Sequence, residues 1–183
     1  LPVRGDDGTL AFAPALLPAS ADVADDVLPY TRAALIRQAF KFLGERYGWG
    51  HAYNARDCSG FVSEIYRSFG ILLPRNTSAQ ATSPALDRIE VTADMPHAQR
   101  LQLLRDADVG DMVFIPGHVM MVIGHIGGEP WVIHDTAGMS LRDDDGSIAR
   151  LPLNGVVVTP LTPMLSGERG TTIERITSIQ RVR

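Results

Sequence analysis

Apolar residues recur at helical spacing twice in the first half of the chain and gather into short blocks in the second. Ala34, Leu35, Ala39, Phe42 and Leu43 lie three or four residues apart. This predicts an amphipathic helix over residues 31 to about 46, with Thr31 as its N-cap. Tyr47-Gly48-Trp49-Gly50 then breaks the pattern. Phe61, Val62, Ile65 and Phe69 form a second stripe, predicting a helix over 57–70. Asp57 is suited to accept from the orphan donors of its first turn, and Gly70 is the stop signal. Four later blocks, 112–115, 118–126, 131–135 and 155–159, are rich in Val, Ile, Met and Phe and bounded by Gly and Pro. They read as strands. Residues 76–84 read as a polar loop, and 85–110 as a polar, irregular stretch with a short helix at 98–104. Asp143-Asp144-Asp145-Gly146 reads as a turn, without the alternating ligands and closing glutamate of a calcium loop. Residues 1–30 carry prolines at 2, 14, 18 and 29, which suits an extended arm or linker with a short strand near 10–12. Helices first and strands after predict an α+β fold, with N-terminal helices packed on a central antiparallel sheet.

Composition narrows the class. The chain has 183 residues, 45% hydrophobic and 21% charged, which suits one domain with a real core and excludes general disorder. The net charge is -4, and no basic stripe marks a nucleic-acid partner. The longest apolar stretch, 112–126, is interrupted by Pro116, His118 and His125. It is shorter than the roughly 20 residues of a membrane-spanning helix, so no transmembrane segment is expected. Leu1 is not an initiator and no signal peptide is recognisable. The sequence therefore reads as a processed product or a piece of a longer chain, and compartment cannot be read from it. A single cysteine excludes an intrachain disulfide and paired-cysteine metal or redox sites.

That cysteine is the first candidate for chemistry. Cys58 directly follows the predicted N-cap, where orphan N–H groups and the helix dipole favour an anion. It also lies on the apolar stripe, so a small buried core residue is the competing reading. A cysteine nucleophile needs a base, and the base needs an orienting partner. His118 begins one predicted strand and His134 ends the next. A turn centred near Ile126 sets them on one face. A two-residue Gly127-Gly128 turn sets them on opposite faces unless a bulge intervenes. His125 falls at the turn and is expected in solvent. His51 reads as a solvated loop histidine that would otherwise line a cleft, and His97 has no evident partner. A zinc site from Cys58, His118 and His134 lacks the close-spaced ligand pairs usual for that metal.

The segment Arg56-Asp57-Cys58-Ser59-Gly60-Phe61-Val62, followed by Gly70-Ile71-Leu72-Leu73-Pro74-Arg75 and Gln80, resembles the nucleophile region of NlpC/P60 cysteine peptidases. Gly110-Asp111-Met112-Val113-Phe114 with His118-Val119 resembles their second motif, and Trp131-Val132-Ile133-His134 their third. Tyr47-Gly48-Trp49-Gly50 matches the aromatic-glycine motif upstream of the cysteine. The resemblance runs in order over about residues 31 to 160. It implies a papain-like fold with Cys58 as nucleophile, His118 as base and His134 as the residue orienting it. It also implies that Tyr47 contacts the site, that Asp57 and Ser59 bind the amino end of the substrate, and that Trp49 and Thr77 form the pocket wall. Family members hydrolyse cell-wall stem peptides, commonly the γ-D-glutamyl bond to diaminopimelate or lysine. Peptidoglycan stem peptides would be the partner, and no metal or organic cofactor is required. Arg75 has no role assigned beyond that of a surface cation.

Two features depart from the shortest family members: a longer interval between the histidines and an insertion at 85–110. Residues 31–50 resemble the subgroup preceded by bacterial SH3-like domains, so that 1–30 would be the tail of such a region and 31–183 the catalytic domain. In that subgroup the neighbouring domain closes one end of the cleft and favours a free N-terminal L-Ala. The implied reaction passes through a thioacyl enzyme, with a bell-shaped pH profile expected because thiolate and imidazolium must coexist. An N-acetylmuramoyl-L-alanine amidase or acyltransferase on the same residues, or a non-catalytic wall-binding domain, are the alternatives. The substrate places action outside the cytoplasm, in periplasm, envelope or medium; a recycling enzyme would instead work inside.

Overall fold

The structure is a computed structural model and describes residues 1–143, 145–166 and 170–182. Its frame is a six-stranded antiparallel sheet. In chain order the elements are β1 (Pro2–Arg4), β2 (Leu10–Phe12), α1 (Arg32–Phe40), α2 (Cys58–Arg67), α3 (Thr77–Ala81), β3 (Asp87–Glu90), α4 (His97–Arg105), β4 (Met112–Ile115), β5 (His118–Ile126), β6 (Glu129–Arg142), β7 (Ile148–Pro160) and β8 (Ser178–Arg181). The large sheet runs β3-β8-β4-β5-β6-β7, while β1 and β2 pair only with each other. This is the α+β arrangement that helices before strands predict.

Strand alternation divides the core in two. Met112, Phe114, Val119, Met121, Ile133 and Val156 pack with Leu35, Phe61, Val62 and Ile65 of α1 and α2. Val113, Met120, Val122, Val132 and Ile179 face the other way, with Leu104 of α4 and Leu161. The helix α2 is buried nearly all round, with its side chains from Cys58 to Ser63, Ile65 and Tyr66 all enclosed. It is the central helix, and its N-terminus lies at the end of the sheet where β5 starts.

Several elements differ from the sequence expectation. α1 stops at Phe40, not near residue 46, because turns at 41–44 end in Gly44 with φ +81° and tie its N–H to the Val156 carbonyl. Phe42 still reaches the core, edge-on to Phe61 at 5.7 Å. The loop expected at 76–84 contains α3, capped by the Asn76 side chain. Residues 85–110 are not irregular throughout. The short helix expected at 98–104 is present as His97–Arg105, but the Asp87–Glu90 segment is an edge strand on β8, and the sequence leaves both strands unmarked. Strands β6 and β7 run well past the predicted blocks and pair as far as Arg142 and Ile148. Between them Asp143 accepts from the Gly146 N–H, as a turn requires; Asp144 lies outside the described residues, as does Arg183 at the end of the expected domain. The strand expected near 10–12 is present.

The hairpin that carries the histidines takes the turn that alone would set them on opposite faces, and then corrects for it. Gly127 and Gly128, both at positive φ, form a two-residue turn that pairs Ile126 with Glu129. A bulge between Val122 and Gly124 then shifts the register by one, so that Val122 opposes Val132 and Met121 opposes Ile133. The extra residue, Ile123, restores the parity that puts His118 and His134 on one face.

Candidate active site

Cys58 is the first residue of α2 and is 6% exposed. Its neighbour Asp57 caps the helix by accepting from the Gly60 N–H at 2.8 Å and the Ser59 hydroxyl at 3.1 Å. The Arg75 guanidinium grips both Asp57 oxygens at 3.2 and 3.0 Å and also reaches the Ser59 hydroxyl. Arg75 is therefore a structural partner of the cap. The side chains of Asp57 and Ser59 are both engaged in this network. The Cys58 Sγ lies 3.7 Å from the Thr77 hydroxyl and 3.9 Å from the Gly117 carbonyl. Among the described residues these are its hydrogen-bonding side-chain and carbonyl neighbours, and the His118 ring is not one of them. The helix end thus meets β5 at the residue where His118 begins it. Burial pushes the thiol pKa up, while the Thr77 hydroxyl and the Val119 N–H pull the other way.

The two histidines are in direct contact. His118 Nε2 lies 2.8 Å from His134 Nδ1. His134 Nε2 lies 3.1 Å from the Thr159 hydroxyl oxygen, and that hydroxyl donates to the Met164 sulfur at 3.5 Å. With the Thr159 hydrogen on Met164, its oxygen accepts from His134 Nε2–H. His134 Nδ1 is then an acceptor, and His118 Nε2–H donates to it. The lone pair left on His118 is at Nδ1. Burial pulls His118 down to about 4, and burial with the neighbouring His118 pulls His134 well below its ordinary value, so both rings are neutral at neutral pH.

A cavity of about 760 Å³ opens beside this pair. Tyr47, Pro116, His118, Met120 and His134 form one side, and the extended β6–β7 arm forms another. Of the residues the sequence suggests for binding, Tyr47 lines it, but Trp49, Asp57, Ser59 and Thr77 do not. Trp49 stands in solvent at 81% exposure. Tyr47 joins the two regions, since Cys58, Asp57 and Asp135 all help burial raise its phenol pKa. His51 is exposed, as expected of a loop histidine, yet it is not free of the site. Its ring covers Gly60, where a Cβ would stand only 1.9 Å from Nε2. His51, Tyr53 and Asn54 sit in left-handed backbone at φ 64°, 59° and 58°. His125 is exposed and meets the Leu104 carbonyl at 3.0 Å. His97 opens α4 and lines a smaller cavity of about 330 Å³. Among the described residues no group of three or more His, Cys, Asp or Glu side chains is arranged to hold a metal ion.

The sequence profile of the NlpC/P60 family matches residues 44–155, more than half of the chain and a span that includes Cys58, His118 and His134. The chain belongs to the NlpC/P60 family. A probable endopeptidase p60 of Listeria innocua is 45% identical over 51 residues, 27% of this chain and 11% of that protein. A γ-D-glutamyl-L-lysine dipeptidyl-peptidase of Bacillus cereus is 33% identical over 131 residues, 67% of this chain and 32% of that protein. The chain thus spans from about a tenth to about a third of the length of these curated relatives. An NlpC/P60 endopeptidase structure from Photobacterium damselae subsp. piscicida aligns with a TM-score of 0.69 at 18% identity, covering 98% of this chain and 44% of the other. That likeness shows the papain-like fold.

Within this NlpC/P60 domain, two residues of the site carry no signal in the sequence. Thr159 lies beyond the matched span, inside a run of β-branched residues where one hydroxyl does not stand out. Asp135 is 1% exposed, and among the described residues neither carboxylate oxygen has a hydrogen-bond partner. It faces away from His134, toward Glu45, Asp57 and Arg56. Burial, with help from Glu45 and Asp57, raises it to about 7.

Proposed function

We propose that this domain is a cysteine endopeptidase that hydrolyses peptidoglycan stem peptides at the γ-D-glutamyl bond to diaminopimelate or lysine. One observation carries the reading: the 2.8 Å contact between His118 Nε2 and His134 Nδ1, on a strand whose first residues meet the Cys58 helix. The tautomer order leaves the His118 lone pair at Nδ1, as a general base requires. The activities named for the Listeria and Bacillus relatives support the substrate class.

In this reading Cys58 Sγ attacks the scissile carbonyl as His118 Nδ1 takes its proton. A thioacyl enzyme forms, and the imidazolium delivers that proton to the leaving amine. His118 then draws a proton from water, which attacks the thioester; the C–S bond breaks, the acid leaves, and the imidazolium returns its proton to Cys58 Sγ. His134 holds the ring of His118, and N–H groups at the start of α2 stabilise the oxyanion. Both histidines are depressed and the thiol raised. The resting pair is therefore neutral, and proton transfer accompanies attack. This replaces the preformed thiolate–imidazolium pair expected from the motif. Tyr47, at the join between thiol and cavity, would position the substrate, with Asp57, Ser59 and Thr77 on the thiol side and Trp49 at the rim. The substrate places its action outside the cytoplasm.

The test is incubation of the chain and its Cys58→Ala variant with L-Ala-γ-D-Glu-meso-diaminopimelate, with products followed by mass spectrometry. Release of L-Ala-D-Glu by the parent alone is the expected result. Equal cleavage by the variant, or cleavage at the bond between lactyl group and L-Ala in wall fragments, sinks the reading; the latter would favour the amidase.

A further inference from the structure

Among the described residues, the lining of the cavity beside the histidines carries an unbalanced charge. Its ionisable lining residues are Tyr47, His118, His134, Arg150 and Arg175, with no Asp or Glu among the described lining. The histidines are neutral at neutral pH, so the two guanidinium groups set the sign. They come from separate walls. Arg150 is on β7 opposite Ser140, on the arm where β6 and β7 outrun the rest of the sheet. Arg175 ends the short 3₁₀ turn Ile173–Arg175 and donates to the Ser166 hydroxyl. Among the described residues neither makes an ion pair. A described lining with two cations and no anion is poised for an anionic ligand.

The reaction says which half of the substrate enters it. The amine that departs must receive its proton from His118, so the leaving half lies on the imidazole side. That side is this cavity; no residue of α2 lines it. We infer that Arg150 and Arg175 bind carboxylate on the leaving half, and so select a diamino acid that ends in a carboxylate over one that ends in a bare ammonium. This rests on the peptidase reading for the orientation of the substrate. In chemical terms the choice is between meso-diaminopimelate, whose side chain carries a second carboxylate, and lysine, whose ammonium would face two cations. The preference differs from the lysine specificity in the name of the Bacillus relative. It also gives the long β6–β7 arm a role, because Arg150 is held over the cavity only by pairing that continues past Gly138.

The experiment separates binding from cleavage. The Cys58→Ala chain is titrated calorimetrically with L-Ala-γ-D-Glu-meso-diaminopimelate and with L-Ala-γ-D-Glu-L-Lys. The diaminopimelate peptide should bind about tenfold tighter or more, the scale of one charge-assisted hydrogen bond. Adding Arg150→Gln should remove most of that difference, and Arg150→Glu should invert the order. Arg175→Gln should act in the same direction. Arg150 is exposed and makes no ion pair among the described residues, so its variants should melt with the parent. Equal affinity for the two peptides, no measurable binding of either, or an order unmoved by Arg150→Glu would each overturn the assignment. If arginine-dependent binding is seen but the parent chain cleaves neither peptide, the peptidase reading fails and the cavity assignment stands. If both peptides are cleaved without arginine dependence, the reverse holds.

Discussion

The proton order along the histidine pair is set at its far end, which makes Thr159→Val the most informative single change. The substitution keeps shape and removes the oxygen that accepts from His134 Nε2–H at 3.1 Å. Thr159 is 6% exposed and His134 2% exposed, so water cannot easily replace it. An orphaned buried N–H costs about 1–3 kcal/mol. The ring escapes this cost by moving its proton to Nδ1. It then donates to His118 Nε2, which forces the His118 proton onto Nδ1 and removes the base. At about 1.4 kcal/mol per decade, that bias corresponds to roughly a 5- to 150-fold change in tautomer ratio. kcat should fall by about one to two orders of magnitude with KM little changed. Thr159→Ser should restore most of the rate. Long-range ¹⁵N–¹H correlation spectra read the tautomers directly, without substrate: Nε2–H on both rings in the parent, Nδ1–H on both in Thr159→Val. Unchanged tautomers together with kcat within twofold of the parent would refute the reasoning.

Other expectations follow from the same kind of accounting. Arg100 is 5% exposed and donates to the carbonyls of Thr92, Met95, Ile173 and Ile176, tying α4 to the segment that carries Arg175. Arg100→Met should cost about 3–5 kcal/mol by urea denaturation, and a loss under about 1 kcal/mol would mean the carbonyls find other donors. Asp135 has its pKa raised to about 7, so its contribution to stability is present at low pH and is lost as pH rises toward and through 7. Asp135→Asn should therefore raise Tm at pH 8 and leave it unchanged at pH 4; a gain at both would assign the effect to packing. His118 has a depressed pKa, so its contribution is present above its ordinary 6.5 and is lost as pH falls through about 4. The full effect is about 3 kcal/mol, and the acid limb of unfolding should flatten in His118→Gln. Gly60→Ala should displace the His51 ring and lower Tm, while the pair with His51→Ala should regain it. Simple additivity of the two changes would show that the ring does not press on Gly60.

The core elements were legible because period and punctuation agreed there. The stripe of Phe61, Val62 and Ile65 with Asp57 before it marks α2 to within a few residues at its ends, and the blocks at 112–115 and 118–126 match β4 and β5. What escaped lacks such agreement. Asp-Arg-Ile-Glu at 87–90 is an exposed edge strand defined by its partner β8 and not by its own hydrophobicity. The outer half of the β6–β7 arm contains Gly138, Pro152 and Asn154, which read as loop, and only cross-strand pairing makes it sheet. In the site, the positions of Cys58, His118 and His134 followed from motif order. Thr159, Arg150 and Arg175 did not, because their place depends on the arm and on the 3₁₀ turn near the end of the chain.

The bulge at Ile123 turns the hairpin into a counting device. Side chains alternate along a strand, so each residue added to or taken from one arm between the glycine turn and His118 rolls that histidine to the opposite face. Ile123 is one such step, and it compensates the one imposed by a two-residue turn. Insertions or deletions here are therefore governed by parity: two residues would move His118 along the sheet, whereas one would turn it through the sheet and away from His134. Deletion of Ile123 alone should leave a well-paired hairpin whose histidines no longer meet, and a second single-residue change at the turn should bring them back together.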